Sequence, residues 1–401
     1  MLAVTEWKKN LAVMWLAQFI GMGAITGVIA FIPLYIPQLG ITRLEDIEIW
    51  SGVLMGVAPL FAGLASPYWG SVADRKGRKP LVERVMLMFG FVMISMAFVS
   101  SIYQLLALRI VQGIFGGFTA AALALVASVA PKNELGFAMG IFQTAMIAGG
   151  AAGPMFGGLV ADSLGYRQAF AAFGLLCFIS LIIIHFAVNE QFTAAPKAAK
   201  PSIGGEIKDI LAIPGLKSML VVQFLIQFSI QIIAPVMPLY VQALVSDTTY
   251  LASISGTIIA IAGVTSAIAA AGAGRLMRRY RNRDILVAAA AVGAFFFAWQ
   301  ALAASVWSFA ALRGLSGFCL GAMLPTSNTI ISLLIPRAKQ GVAYGVTTGA
   351  VQLGNVLGPL SGGVIALALG IPSVFWITAL LFAIVAVWVS TRVKAPAGGE
   401  A

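Results

Sequence analysis

Apolar residues run along this chain in long, nearly unbroken blocks near 11–35, 50–70, 82–99, 103–129, 137–160, 168–188, 218–243, 251–274, 285–303, 307–333, 340–368 and 373–391. A helix needs about 20 apolar residues to cross a bilayer core of about 30 Å, so the pattern predicts twelve membrane-spanning helices. Strands of a membrane barrel would instead alternate in segments of about 10 residues. The first block is longer than the roughly 7–15 residues of a signal-peptide core and has no small-residue cleavage site after it, so it reads as a retained helix.

Composition strengthens this reading. The 401 residues are 60% apolar and only 10% charged, against about 45–50% and about 25% in soluble domains. A soluble enzyme is excluded on that count. The net charge of +11 does not point to nucleic acid, because the basic residues sit in short clusters between apolar blocks. With the N-terminus in the cytoplasm, 21 of the 25 lysines and arginines fall on the inner side, which predicts that both termini are cytoplasmic. Cys177 and Cys319 lie inside apolar blocks, so they offer neither a disulfide framework nor a metal site. The long polar stretch 190–216 reads as a cytoplasmic linker between an N-terminal six-helix bundle, 1–189, and a C-terminal one, 217–401.

The two halves repeat. Gln18-Phe19, thirteen residues and Pro33-Leu34-Tyr35 return as Gln223-Phe224, thirteen residues and Pro238-Leu239-Tyr240, an offset of 205. Ser51-Gly52, Gly70, Arg109 and Gly113 return 204 positions later as Ser255-Gly256, Gly274, Arg313 and Gly317. Gly140, Gly149, Gly153, Pro154, Gly157 and Gly158 return at 205 as Gly345, Gly354, Gly358, Pro359, Gly362 and Gly363. Six helices per copy bring both copies into the membrane the same way up, the parallel-repeat plan of alternating-access carriers.

Three motifs carry a family resemblance. Gly70-Ser-Val-Ala-Asp74-Arg75-Lys76-Gly77-Arg78-Lys79-Pro80 resembles the loop between the second and third helices of the major facilitator superfamily. Arg109-Ile-Val-Gln112-Gly113 resembles its fourth-helix motif, and Gly140 to Gly158 the fifth-helix motif of its exporters. The resemblance covers the whole chain and is strongest to the twelve-helix drug:proton antiporters of bacteria. It implies an all-α membrane protein of two pseudo-symmetric six-helix bundles. It further implies a monomer in the bacterial cytoplasmic membrane, in contact with membrane lipid, exporting small amphipathic compounds by alternating access with proton coupling. A facilitator or lipid flippase without proton coupling, or a carrier of an organic anion, is the alternative.

Particular residues carry these expectations. Gly70 and Gly77 permit close approach and a sharp turn, while Asp74, with Arg75 and Arg78, would latch the inner side by meeting the N-terminal end of the eleventh helix. Gly149, Gly153, Gly354 and Gly358 let helices pack backbone to backbone, and Pro154 and Pro359 favour kinks or hinges. Arg109 and Arg313 are charges inside spans, hence functional candidates; if both faced the cavity, its potential would favour anionic or neutral amphiphiles. No acid falls deep in a span, leaving Asp74, Glu83 and Asp162 near helix ends as candidate proton sites. Gln223, Gln227 and Gln231 share one helix face. Gln18, Met22, Thr26, Gln143, Thr144, Met146, Gln352 and Asn355 come from the first, fifth and eleventh helices, which line the central cavity in the resembling family. Amides mixed with methionine make an adaptable surface. No nucleotide-binding, zinc-hydrolase or nucleophile-elbow motif occurs, so no cofactor and no enzymatic activity are expected.

Overall fold

The computed structural model of the protein describes residues 2–117, 121–123, 125–126, 130–131, 134–188, 190, 210–335 and 340–393, with side chains for all of these but 2–6, 73–76, 136 and 340–342. The expected linker therefore lies largely outside the described residues, as do the side chains of Asp74 and Arg75. We number the helices α1 Leu2–Gly27, α2 Ile32–Tyr35, α3 Leu44–Lys76, α4 Lys79–Ala97, α5 Ile102–Ile114, α6 Leu135–Leu164, α7 Tyr166–Ala187, α8 Leu216–Gln231, α9 Met237–Leu244, α10 Leu251–Arg279, α11 Asn282–Gln300, α12 Val306–Leu334, α13 Gln340–Leu369 and α14 Ile371–Arg392. Among the described residues ten helices are long and apolar enough to cross a membrane, and the shorter apolar helices Ile102–Ile114 and Leu216–Gln231 fall where the fourth and seventh spans are expected.

The repeat reappears in the packing. In the first half α1 packs along α6 and α7, and α4 against α7. In the second, α8 packs along α13 and α14, and α11 against α14. The first span bends at a 3-10 turn, Val28–Ala30, before α2, which has Pro33 in its opening positions; the seventh breaks after Gln231 and resumes in α9 with Pro238 in the same place. Proline fits there because the first turn of a helix leaves its N–H groups unbonded anyway. Behind each bend the repeated tyrosine anchors an aromatic cluster. Tyr35 meets Phe170 at 5.5 Å between ring centroids, and Tyr240 meets Phe375 at 4.7 Å, with its hydroxyl donating to the Gln300 carbonyl at 2.9 Å.

By contact density the chain forms two compact units, one of 1–43, 57–198 and 247–260 and the other of 44–56, 199–246 and 261–401. This grouping differs from an uncut division at the linker, because the first turns of α3 group with the second half and those of α10 with the first. Glycine marks both places. In unit 1 a β-carbon on Gly256 of α10 would run into the Pro154 carbonyl of α6; in unit 2 one on Gly52 of α3 would lie 2.5 Å from the Pro359 carbonyl of α13.

One expected span is interrupted. The apolar block 103–129 reads as one helix, but α5 ends at Ile114 and turns through Phe115, Gly116 and Gly117, the last at φ +93°. The repeat partner of Gly116 is Leu320, and α12 runs through that position unbroken. The freed carbonyls are taken up locally: Trp69 Nε1 donates to the Ile114 oxygen at 2.7 Å, and Arg84 Nη2 to the oxygens of Phe115 and Gly116 at 3.4 Å. The Arg84 guanidinium also lies over the Trp69 ring, 3.1 Å from its centroid.

Candidate functional site: the loop motif, the glycine seams and the amide faces

Gly77 sits at φ +92°, a conformation that glycine alone adopts without strain, so the chain turns sharply between α3 and α4. Gly70 has no atom within 4 Å of where a β-carbon would stand. Sequence reading had no reason to select Glu190, yet its carboxylate accepts from the backbone N–H of Arg78 at 3.0 Å and of Lys79 at 2.7 Å. It thereby caps α4 from across the half, where the helix dipole favours negative charge. Lys79 Nζ donates to the His185 carbonyl at 2.7 Å, and Glu83 lies 3.2 Å from His185 Nδ1, so the ends of α4 and α7 are tied together. Replacing Glu190 by Gln removes the charge and costs about 0.3–1 kcal/mol. The amides of Arg78 and Lys79 should then exchange faster with solvent deuterium, while those in the middle of α4 keep their protection.

The fifth-helix glycines divide by role. Gly149, Gly153 and Gly157 face α1: a β-carbon on Gly149 would lie 2.5 Å from the Phe19 oxygen, and one on Gly153 would lie 2.6 Å from the Gly23 oxygen. Gly354, Gly358 and Gly362 face α8 in the same register, Gly354 toward the Phe228 nitrogen at 2.8 Å and Gly358 toward Gln231 Cβ at 2.6 Å. Gly140 and Gly345, the first members of each copy, meet nothing within 4 Å. Spacing by four thus makes two pseudo-symmetric backbone seams. The prolines Pro154 and Pro359 lie inside α6 and α13, with their carbonyls against Gly256 and Gly52 as described above. At the end of α6, Asp162 Oδ1 accepts from the Ala252 N–H at 3.2 Å and Oδ2 from the Ser253 N–H at 2.6 Å.

The arginines do not face an open cavity. Arg109 is 5% exposed and its Nη1 donates to Gln112 Oε1 at 2.6 Å, on its own helix. Arg313 is 8% exposed, with its guanidinium 5.7 Å from the Phe297 ring centroid on α11, and its Nε and Nη1 find no acceptor among the described residues. Each guanidinium is buried within its own half. A buried charge short of partners costs stability, and apolar replacement of such groups is often neutral or stabilising by about 1–4 kcal/mol. Arg313→Met should therefore melt in detergent at the same temperature as the parent or higher. A fall of several degrees would show that the guanidinium holds its half together.

The amides also separate. Gln223 is 1% exposed and donates through Nε2 to Asn328 Oδ1 of α12 at 2.7 Å. Gln18 is fully buried. An amide buried in a membrane protein needs partners, and for Gln223 a neighbouring helix supplies one. Gln227, one turn on, donates to Asn355 Oδ1 at 2.6 Å, and Asn355 Nδ2 donates to Gln352 Oε1 at 2.6 Å. These three and Gln231 are part-exposed, beside the stacked pair Phe224 and Phe228, 5.5 Å apart. In the first half Gln143 is exposed, and Thr144 Oγ1 accepts from Trp15 Nε1 at 2.9 Å beside the stacked ring of Phe19. Met22 and Met146 are part-exposed nearby, and Thr26 Oγ1 donates to the Met22 carbonyl at 2.8 Å. The first half thus presents a face of amide, methionine and aromatic side chains, and the second a face of amides and aromatics. Among the described residues, no group of three or more His, Cys, Asp or Glu is placed to hold a metal ion.

Comparison with known proteins places this geometry. The profile of the Major Facilitator Superfamily matches residues 14–283 and 219–401. A multidrug resistance protein MdtG of Rahnella sp. (strain Y9602) is 36% identical over 380 residues, covering 94% of this chain and 91% of that protein. The MdtG of Dickeya zeae (strain Ech586) is 35% identical over 98% of this chain and 97% of its own. Among solved structures, a bacterial homolog of the human lysosomal transporter Spinster superposes with a TM-score of 0.80 at 14% identity, covering 96% of each chain. A D-xylose–proton symporter superposes with a TM-score of 0.78 at 15% identity over 99% of this chain and 100% of its own. The repeated helix packing, the paired glycine seams and these matches over nearly the full length agree, and the chain is an integral membrane protein of the twelve-helix major facilitator fold that belongs to the Major Facilitator Superfamily.

Proposed function

We propose that the protein is a secondary transporter that exports small amphipathic compounds of varied structure from the cell, a multidrug exporter and not an enzyme. The observation that carries this reading is the 36% identity to a multidrug resistance protein across 94% of the chain. The glycine seams add support, since they occupy the positions of the exporter motif in both copies. The faces around Gln143 and Met146 in one half and around Gln227, Gln352 and Asn355 in the other supply substrate contacts. Mixed amide, methionine and aromatic surface repacks around different shapes and so favours breadth over selectivity. The protein works in a cytoplasmic membrane with both termini inside, a reading that the placement of its basic residues supports. Expression in a bacterial strain stripped of its own exporters tests the reading. Tolerance to several unrelated amphipathic compounds should rise, and unchanged tolerance to all of them, with the protein present in the membrane, would contradict it.

A second reading, a facilitator or lipid flippase without proton coupling, is favoured by one observation. Among the described residues every acidic side chain lies at a helix end or in a loop, with none midway along a span. If protons are coupled, Asp162 and Glu83 are the acids best placed to carry them.

A further inference from the structure

In unit 2, α10, α11 and α12 leave a groove of about 480 Å³, within the roughly 300–1,000 Å³ typical of small-molecule sites. Its origin is local sequence. Ala288 and Ala289 give α11 two small side chains that leave unfilled the space between Leu276 of α10 and Phe318 and Ala322 of α12. The groove follows α11 from Asp284 to Val292, roughly 12 Å at about 1.5 Å per residue. Its walls are apolar, and Val292 and Phe318 are 47% and 43% exposed.

Tyr280 and Asp284 line one end of this groove. Beside that end, where α10 passes into α11, Arg275, Arg278, Arg279, Arg281 and Arg283 fall within nine positions outside the groove's lining, and Asp284 follows them directly. Arg283 is turned away, its guanidinium donating to the Ser390 carbonyl of α14, while the other four are exposed. Tyr280, 53% exposed at the same end, stands beside the Arg279 guanidinium, 5.8 Å from the ring centroid. An apolar channel among membrane-spanning helices, with a cluster of exposed arginines beside one end, has the two-part chemistry of one ligand class.

We propose that this groove is a binding site for a single anionic phospholipid, with an acyl chain along Ala288, Val292 and Phe318 and the phosphate among Arg275, Arg278, Arg279 and Arg281. Charge complementarity selects the occupant. A zwitterionic lipid fills the groove equally well but gains less from four exposed guanidiniums, and basic residues clustered at the end of a span attract anionic headgroups. Free phosphate gains the charge but leaves the apolar walls bare, so the site retains lipid and not the inorganic ion.

The purified full-length protein, delipidated in mild detergent and offered phosphatidylglycerol and phosphatidylethanolamine with the same acyl chains, tests this by native mass spectrometry. One phosphatidylglycerol should be retained per chain in preference to phosphatidylethanolamine, and millimolar inorganic phosphate should not displace it. Arg278→Gln with Arg279→Gln should lower retention by about fivefold per arginine. Val292→Phe and Ala288→Trp, at exposed positions where folding is undisturbed, should each reduce retention of either lipid by filling the groove. Equal retention of the two lipids would overturn the proposal. So would phosphatidylglycerol binding that survives both groove-filling variants in protein of normal melting temperature, or its displacement by phosphate, which would mark a site for a free anion.

Discussion

Gly153→Leu should abolish transport and strongly destabilise the first half. A β-carbon there already lies 2.8 Å from the Gly23 Cα and against the Thr26 hydroxyl, so three further carbons have nowhere to go unless α1 and α6 part. Overpacking a filled interior costs about 1–3 kcal/mol and more when the obstacle is backbone, against a total stability of about 5–15 kcal/mol. Gly358→Leu meets the Gln231 Cβ and the Phe228 carbonyl of α8, at 2.6 and 3.0 Å, and should fail in the same way. Gly150→Ala is the control: its β-carbon would meet only the tip of Met22, 3.9 Å away, and transport should persist. Melting temperature and transport measured on the same preparations check all three, and normal transport by either leucine variant would show that its seam is not tightly closed.

The second large effect belongs to Asp162. Its two oxygens hold the free N–H groups of Ala252 and Ser253 in the first turn of α10, where a carboxylate satisfies unpaired donors and meets the positive end of the helix dipole. Removing such a cap costs about 0.5–2 kcal/mol. Asp162→Ala should therefore speed deuterium exchange of the amides at 252 and 253 by about tenfold, since about 1.4 kcal/mol is a factor of ten. Asp162→Asn keeps one acceptor oxygen and should fall between. The repeat partner of Asp162 is Leu367, so Leu367→Ala should leave exchange at the start of α3 unchanged. Equal protection in Asp162→Ala and the parent would remove the cap.

Run length and repeat carried most of the fold. Twelve apolar blocks and a register held at 204–205 positions left little freedom for helix number or for which helices correspond, and the pairings α1 with α6 and α8 with α13 follow the same register. The interruption after Ile114 was not legible. Apolar character persists through Gly116 and Gly117, and only the three-dimensional placement of Trp69 and Arg84 shows carbonyls freed from the helix being taken up. The same limit applies to the amides. Spacing by four puts Gln223 and Gln227 on one face, but whether that face meets Asn328 inside a helix pair or opens outward depends on which helix lies opposite. Glu190 was invisible for a related reason: it caps a helix that begins more than a hundred residues earlier. Periodicity reports which way a side chain points along its own helix and is silent about what waits there.

Active export is tested most directly by the movement of a fluorescent amphipathic compound across proteoliposomes of the purified protein, with and without an imposed pH gradient. A proton-coupled exporter accumulates the compound beyond the equilibrium level when protons are supplied downhill in the opposite direction, and loses that accumulation when the gradient is dissipated. Equilibration to the same level with or without the gradient would contradict proton-driven export and leave a facilitator in its place, and no movement above protein-free vesicles would contradict transport altogether.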